Sequence, residues 1–200
     1  MTIAVWPWNR TAAILLANER LFENGAVARA DAVYDLPARR ISEPRAPRKK
    51  GTGMLDRYFD QLTVGDVFAG TRGRTVTETD LALFSAVSGD WNPLHNDAAF
   101  AATGPFGTRI AHGLLLVSMM TGMAPISGQA VVALYGFDRV RFVNPVLLGD
   151  TITYTSKISG LEPKGDARGL ADVEFEICNQ HDAVCVAGTI KILLNRTPGS

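Results

Sequence analysis

Two periodicities divide the chain from Met54 onward. From Leu81 to Met123 the apolar residues recur mainly at helical spacing, and after Gly128 the pattern changes to that of strands. Residues 71–76 alternate and predict a strand. Thr77-Glu78-Thr79-Asp80 then has the form of a capping box, a hydroxyl followed three positions later by an acid. The run Leu81, Phe84, Ser85, Val87, Ser88 predicts a short helix that stops at Gly89. Residues 97–102 predict a second short helix, begun at Asp97, and Pro105-Phe106-Gly107 a turn. Residues 112–123 form the longest helical candidate. Leu114, Leu115, Leu116, Val117, Met119, Met120 and Met123 make it apolar nearly all round, which predicts burial on every side. Strands are expected over 130–134, 139–143, 151–158, 171–177 and 184–194, with turns at Leu148-Gly149-Asp150 and Pro163-Lys164-Gly165-Asp166. Strands around one buried helix predict an α+β domain, an antiparallel sheet wrapped on that helix.

Residues 1–53 have a different character. Between Pro37 and Lys50 lie three prolines and six basic residues (Arg39, Arg40, Arg45, Arg48, Lys49, Lys50) against the single acid Glu43, and Gly51-Thr52-Gly53 follows. Such a stretch cannot bury enough apolar surface to offset its ordering entropy. A disordered N-terminal extension over 1–53, a folded domain over 54–196 and a short tail over 197–200 are expected. The extension is read as a solvated tail rather than a basic arm for nucleic acid or phosphates, and Met54 is a candidate alternative start of translation.

With 46% hydrophobic and 20% charged residues, the composition is that of a globular protein. Formal net charge is zero, so nothing in the balance points to nucleic acid or an anionic membrane. No apolar run approaches the ~18–20 residues needed to cross a bilayer, and neither a secretory nor a transit pattern is evident, so the expected location is the cytoplasm. Cys178 and Cys185 flank the turn-like Asn179-Gln180-His181-Asp182 and are expected to be free thiols; with one nearby His they make no metal-site spacing.

The chemistry concentrates in Ser88-Gly89-Asp90-Trp91-Asn92-Pro93-Leu94-His95-Asn96-Asp97. A helix stop, an acid, an Asn-Pro turn and a histidine follow one another closely. Pro93 restricts its own φ and holds Asn92 extended, so the turn can fold Asp90 and His95 toward one point. A carboxylate facing an imidazole suits acid–base work on water. A capping Asp beside a structural His is the other reading, and the residues alone leave both open. The second feature is Ile110-Ala111-His112-Gly113 at the mouth of the long helix. Gly113 permits close backbone approach, and N–H groups at a helix start carry positive partial charge that can polarise a carbonyl oxygen. A glycine required only by packing fits equally well. His112 is expected to support the fold or the site rather than to react.

The signature from Ser88 to His95, followed by Asp97, resembles that of MaoC-like dehydratases, the (R)-specific enoyl-CoA hydratases. Ala111-His112-Gly113, then Val140-Arg141-Phe142-Val143-Asn144-Pro145-Val146 with Gly149-Asp150, resemble the family's later landmarks. The resemblance runs from about Tyr58 to Leu194. It implies a single hot-dog unit, an enzyme that interconverts a 2-enoyl-CoA and an (R)-3-hydroxyacyl-CoA, and a homodimer. Asp90 and His95 would be the catalytic pair on water, Gly113 N–H would hold the thioester oxygen, and Asn92 would orient the turn. Thr121 falls where the family has a pocket serine. Ser118 is a second hydroxyl on that helix, and either could instead bond back to the preceding turn. Trp91 is read as covering the core in preference to lining the acyl pocket.

The resemblance implies no cofactor beyond the coenzyme A of the substrate, and no metal. No glycine-rich nucleotide motif is present. Arg109, Arg139, Arg141 and Lys157 are candidates for the CoA phosphates. A hot-dog thioesterase and a non-catalytic acyl-CoA-binding subunit are the alternatives; the paired Asp90 and His95 argue against both.

Overall fold

The computed structural model describes residues 54–70, 72–124 and 126–199. The expected extension over 1–53 lies outside these. Six strands form the framework: β1 (Val67–Ala69), β2 (Arg74–Thr75), β3 (Val131–Phe142), β4 (Thr151–Lys164), β5 (Arg168–Cys178) and β6 (Val184–Asn195). Four helices precede the long strands: α1 (Glu78–Ser88), α2 (Pro93–Asn96), α3 (Ala98–Ala102) and α4 (Gly113–Met123). The sheet order is β1-β4-β5-β6-β3, antiparallel at every pairing, with β2 also on β4.

Alternation decides which face is buried. Ile152, Tyr154, Ser156 and Ile158 on β4, Ala171, Val173, Phe175 and Ile177 on β5, and Ile190, Ile192 and Leu194 on β6 point inward. They share one core with Leu115, Leu116, Val117, Met119 and Met120 of α4. Leu55, Phe59 and Leu62, from two short 3-10 turns, close one end of this core. The antiparallel sheet on a buried helix is the α+β arrangement expected from the periodicities.

The capping box forms as read: Thr77 N–H donates to Asp80 Oδ2 at 2.9 Å and Asp80 N–H to Thr77 Oγ1 at 3.3 Å. Helix α1 ends at Gly89, whose φ of 77° is the left-handed value glycine adopts without strain. Several expectations are corrected. Strand 71–76 shrinks to Arg74–Thr75 among the described residues. Segments 130–134 and 139–143 join into the single strand β3. Register shifts absorb the irregular stretch between them, and Arg139 at φ 53° sits in the last shift. Val87 is 89% exposed rather than turned inward. Helix α4 is not buried on every side, because Leu114 is 64% exposed and Ser118 is exposed too. Apolarity shows that a face can be buried, not that this chain covers it.

Cys178 and Cys185 are unlinked, and burial pushes the Cys185 thiol up to about 11. No helix of the described residues is long and apolar enough to cross a membrane.

Candidate active site

The loop from Gly89 to Asn96 is built by short-range bonds. Ser88 Oγ accepts from Asp90 N–H at 3.2 Å, and the Asp90 carboxylate accepts from Asn92 N–H at 3.2 Å. Asn92 Oδ1 in turn accepts from Leu94 N–H at 3.0 Å, capping α2, and Pro93 fills the first helical position, where no N–H is needed. One helical turn then delivers His95. Its Nδ1 lies 2.7 Å from the carbonyl oxygen of Ile110. A carbonyl can only accept, so Nδ1 carries the proton and Nε2 is the edge left for chemistry.

Asp90, His95 and His112 each bring one donor atom within 4.8 Å of the others. The predicted acid and imidazole therefore lie close together. This is also the set among the described residues that could hold a metal ion. The rings of His95 and His112, however, are stacked, 3.8 Å between centroids and 30° between planes. Their lone pairs run in near-parallel planes rather than aiming at a common centre.

Gly113 begins α4, with His112 as the residue that caps it, so its N–H has no acceptor within the helix. A Cβ at this position would lie 2.5–2.7 Å from the Phe142 ring. A side chain here would therefore have to displace the half-exposed Phe142 ring, a packing reason for glycine beside any functional one. The segment leading to it is pinned: Ala111 N–H donates to Val146 carbonyl at 2.8 Å, and Ile110 bridges Leu147. Asp150 secures that neighbouring loop, accepting from Leu147 N–H at 2.8 Å and Gln180 Nε2 at 2.7 Å.

The remaining candidates are less involved. Ser118 donates to Leu114 carbonyl at 2.9 Å and Thr121 to Ser118 carbonyl at 2.8 Å, the back-bonding a helix offers any hydroxyl. Trp91 is 59% exposed and does not cover the core. Arg109 grips Glu78 with two bonds of 2.6 and 2.7 Å, and Arg141 donates to the carbonyl of Val140. Arg139 lies on β3 and Lys157 on β4, so the four cations form no single phosphate cradle. Sequence reasoning picked out the segment of Ile110 but assigned that residue no role, because its contribution is a main-chain oxygen and so independent of side-chain type. It missed Asn96 and Phe142. Ser85, buried four residues after Leu81, carried a signal: a hydroxyl on the inner face of a helix.

A model of the family described as MaoC like domain matches residues 60–176. The chain belongs to this family. It is 34% identical over 107 residues to the (R)-specific enoyl-CoA hydratase of Rhodospirillum rubrum, a match covering 54% of this chain and 73% of that protein. It is 40% identical over 97 residues to protein MaoC of Klebsiella aerogenes, but that match spans 48% of this chain and only 29% of the relative. A double-hotdog-fold protein from Mycobacterium tuberculosis superposes with a TM-score of 0.63 and 25% identity, over 72% of this chain and 46% of that one. The fold is a hot dog, seen here as a single unit.

Proposed function

We propose that the protein hydrates a 2-enoyl-CoA to the (R)-3-hydroxyacyl-CoA, and catalyses the reverse dehydration, with Asp90 and His95 acting on water. The carrying observation is the convergence of the Asp90 carboxylate on a His95 ring whose Nδ1 proton is committed to Ile110. The name of the Rhodospirillum relative supports the substrate class and the stereochemistry.

Water held between the carboxylate and Nε2 adds its oxygen at C3 of the enoyl group. Its proton passes to the pair, and the pair returns a proton to Cα. Both additions come from the side on which the pair stands, so the addition is syn. Charge that develops on the thioester oxygen is met by Gly113 N–H at the positive end of α4. Asn92 holds Asp90 in place through its N–H, and Thr121 and Ser118 lie on the same helix as candidate contacts for the acyl group. The reaction uses no metal and no cofactor other than the coenzyme A of its substrate.

A homodimer is part of this reading. Strand β3 lies at the end of the sheet and is twelve residues long. Leu134, Tyr135, Phe137 and Phe142 stand exposed along it. A long apolar edge is a template for pairing with another copy, and a two-fold axis would satisfy both copies at once. The match of this single unit to about half of a double-hotdog chain points the same way. Free thiols and a CoA-linked substrate favour a cytoplasmic location.

The test follows the loss of enoyl thioester absorbance with crotonyl-CoA and longer 2-enoyl-CoAs, for the wild type beside Asp90→Asn and His95→Ala. The expected result is hydration by the wild type and a loss of ~10²–10⁴-fold in each variant. Release of free CoA without hydration would instead establish a thioesterase. Silence over a broad acyl panel would favour a binding subunit.

A further inference from the structure

His112 is a buried imidazole for which the reaction above has no use. Its side chain is 2% exposed, closed in by Phe84 at 5.0 Å between ring centroids. Burial lowers its pKa, so the ring is neutral. Nε2 lies 3.2 Å from the main-chain oxygen of Asp90 and 3.3 Å from Ser85 Oγ. The Asp90 carbonyl only accepts, so Nε2 carries the ring proton and donates it there. Ser85 is itself held by Asn96 Nδ2 at 3.1 Å, the residue after His95. Nδ1 is then left with a lone pair and has no partner among the described residues. An unpaired buried polar atom carries an unrepaid desolvation cost. For filling space alone, a flat apolar ring would serve better.

What the imidazole gains at that cost is geometry. Its edge fixes the main chain at Asp90, and its face, 3.8 Å from the His95 ring, fixes the plane of that ring. With Ile110 holding the far edge of His95, one segment, Ile110-Ala111-His112-Gly113, aims the acid, aims the imidazole and opens the helix that meets the thioester oxygen.

We propose that His112 is a positioning residue for the hydration, setting Asp90 and His95 relative to one another through its bond to the Asp90 main chain and its stack on His95. The proposal rests on the Asp90–His95 reading. Two variants separate the two contacts. His112→Phe keeps a flat ring and loses the donor, whereas His112→Gln keeps a donor and loses the stack. With crotonyl-CoA, each is expected to lower kcat by ~10–100-fold, the scale of an ångström-sized misplacement, with KM within about threefold of wild type. Wild-type kcat in both folded variants would overturn the proposal, as would a loss of kcat/KM that lies in KM and not in kcat. If either loses cooperative melting, the other decides alone, and wild-type kcat in that folded variant would overturn the proposal. His95→Ala runs alongside: an active His95→Ala would sink the catalytic reading itself, whereas an inactive one beside wild-type His112 variants would sink only the positioning role.

Discussion

The two sides of this domain differ in how complete they are. On the closed side, β4, β5 and β6 pair over their lengths and bury every second side chain against α4. On the open side, β3 shows Leu134, Tyr135 and Phe137 to solvent, α4 shows Leu114, and Asp90 and Trp91 of the loop after α1 are exposed as well. The closed side supplies stability and needs nothing more from this chain. On the open side apolar surface is left uncovered by this chain and Asp90 stands exposed; under the proposed function a second copy and the substrate cover it.

Substitutions should separate the two sides. The largest effect on activity is expected at the pair. Asp90→Asn and His95→Ala lose ~10²–10⁴-fold in kcat while thermal melting shifts little, because neither group is buried; a large drop in Tm would show that the pair also holds the fold. Next comes the closed side. Leu116→Ala should destabilise by about 2–5 kcal/mol in denaturant unfolding and leave kcat per folded molecule near wild type. A selective loss of kcat instead would mean that the core transmits directly to the site.

A smaller effect is expected at the free edge. Leu134→Lys with Tyr135→Lys should halve the mass seen by light scattering and raise the activity's dependence on protein concentration. An unchanged mass would place the dimer contact elsewhere. The pH dependence of stability is subtler. His112 has a folded pKa below its ordinary 6.5, so the unfolded chain binds the extra proton first. Its contribution is complete above 6.5 and declines as pH falls from there toward the lowered folded value. His112→Phe should flatten that part of the curve. The smallest effect belongs to Ser118→Ala, within about 0.5 kcal/mol of wild-type stability, since its hydroxyl only bonds back to Leu114. A marked rise in KM there would instead reveal a substrate contact.

Much of this was legible in the residues. The capping box at Thr77, the stop at Gly89, the Asn92-Pro93 turn and the strand alternation are local rules, and each was met within a few residues of its expected place. The nearness of Asp90 to His95 was legible for the same reason: four residues and one proline-led turn connect them. Two things were not. Gly136-Phe137-Asp138 looked like a break, yet β3 runs through it because pairing with β6 absorbs the irregularity as register shifts. The exposed stripe of α4 looked buried, because a hydrophobic pattern records that a face is apolar and not which molecule covers it.

By itself, then, the sequence determined most of the elements, their order, the α+β class and the acid–imidazole loop, which follow from short-range sterics, capping and periodicity, while the hot-dog class was implied by the resemblance of the Ser88–His95 signature. Tertiary structure alone decided that Ile110's carbonyl selects the working nitrogen of His95, that the Phe142 ring packs against Gly113, and that His112 stacks on His95 while holding Asp90. These contacts join residues 15 to 29 positions apart through main-chain atoms and ring faces, whose positions no local pattern specifies until the sheet has closed on the helix.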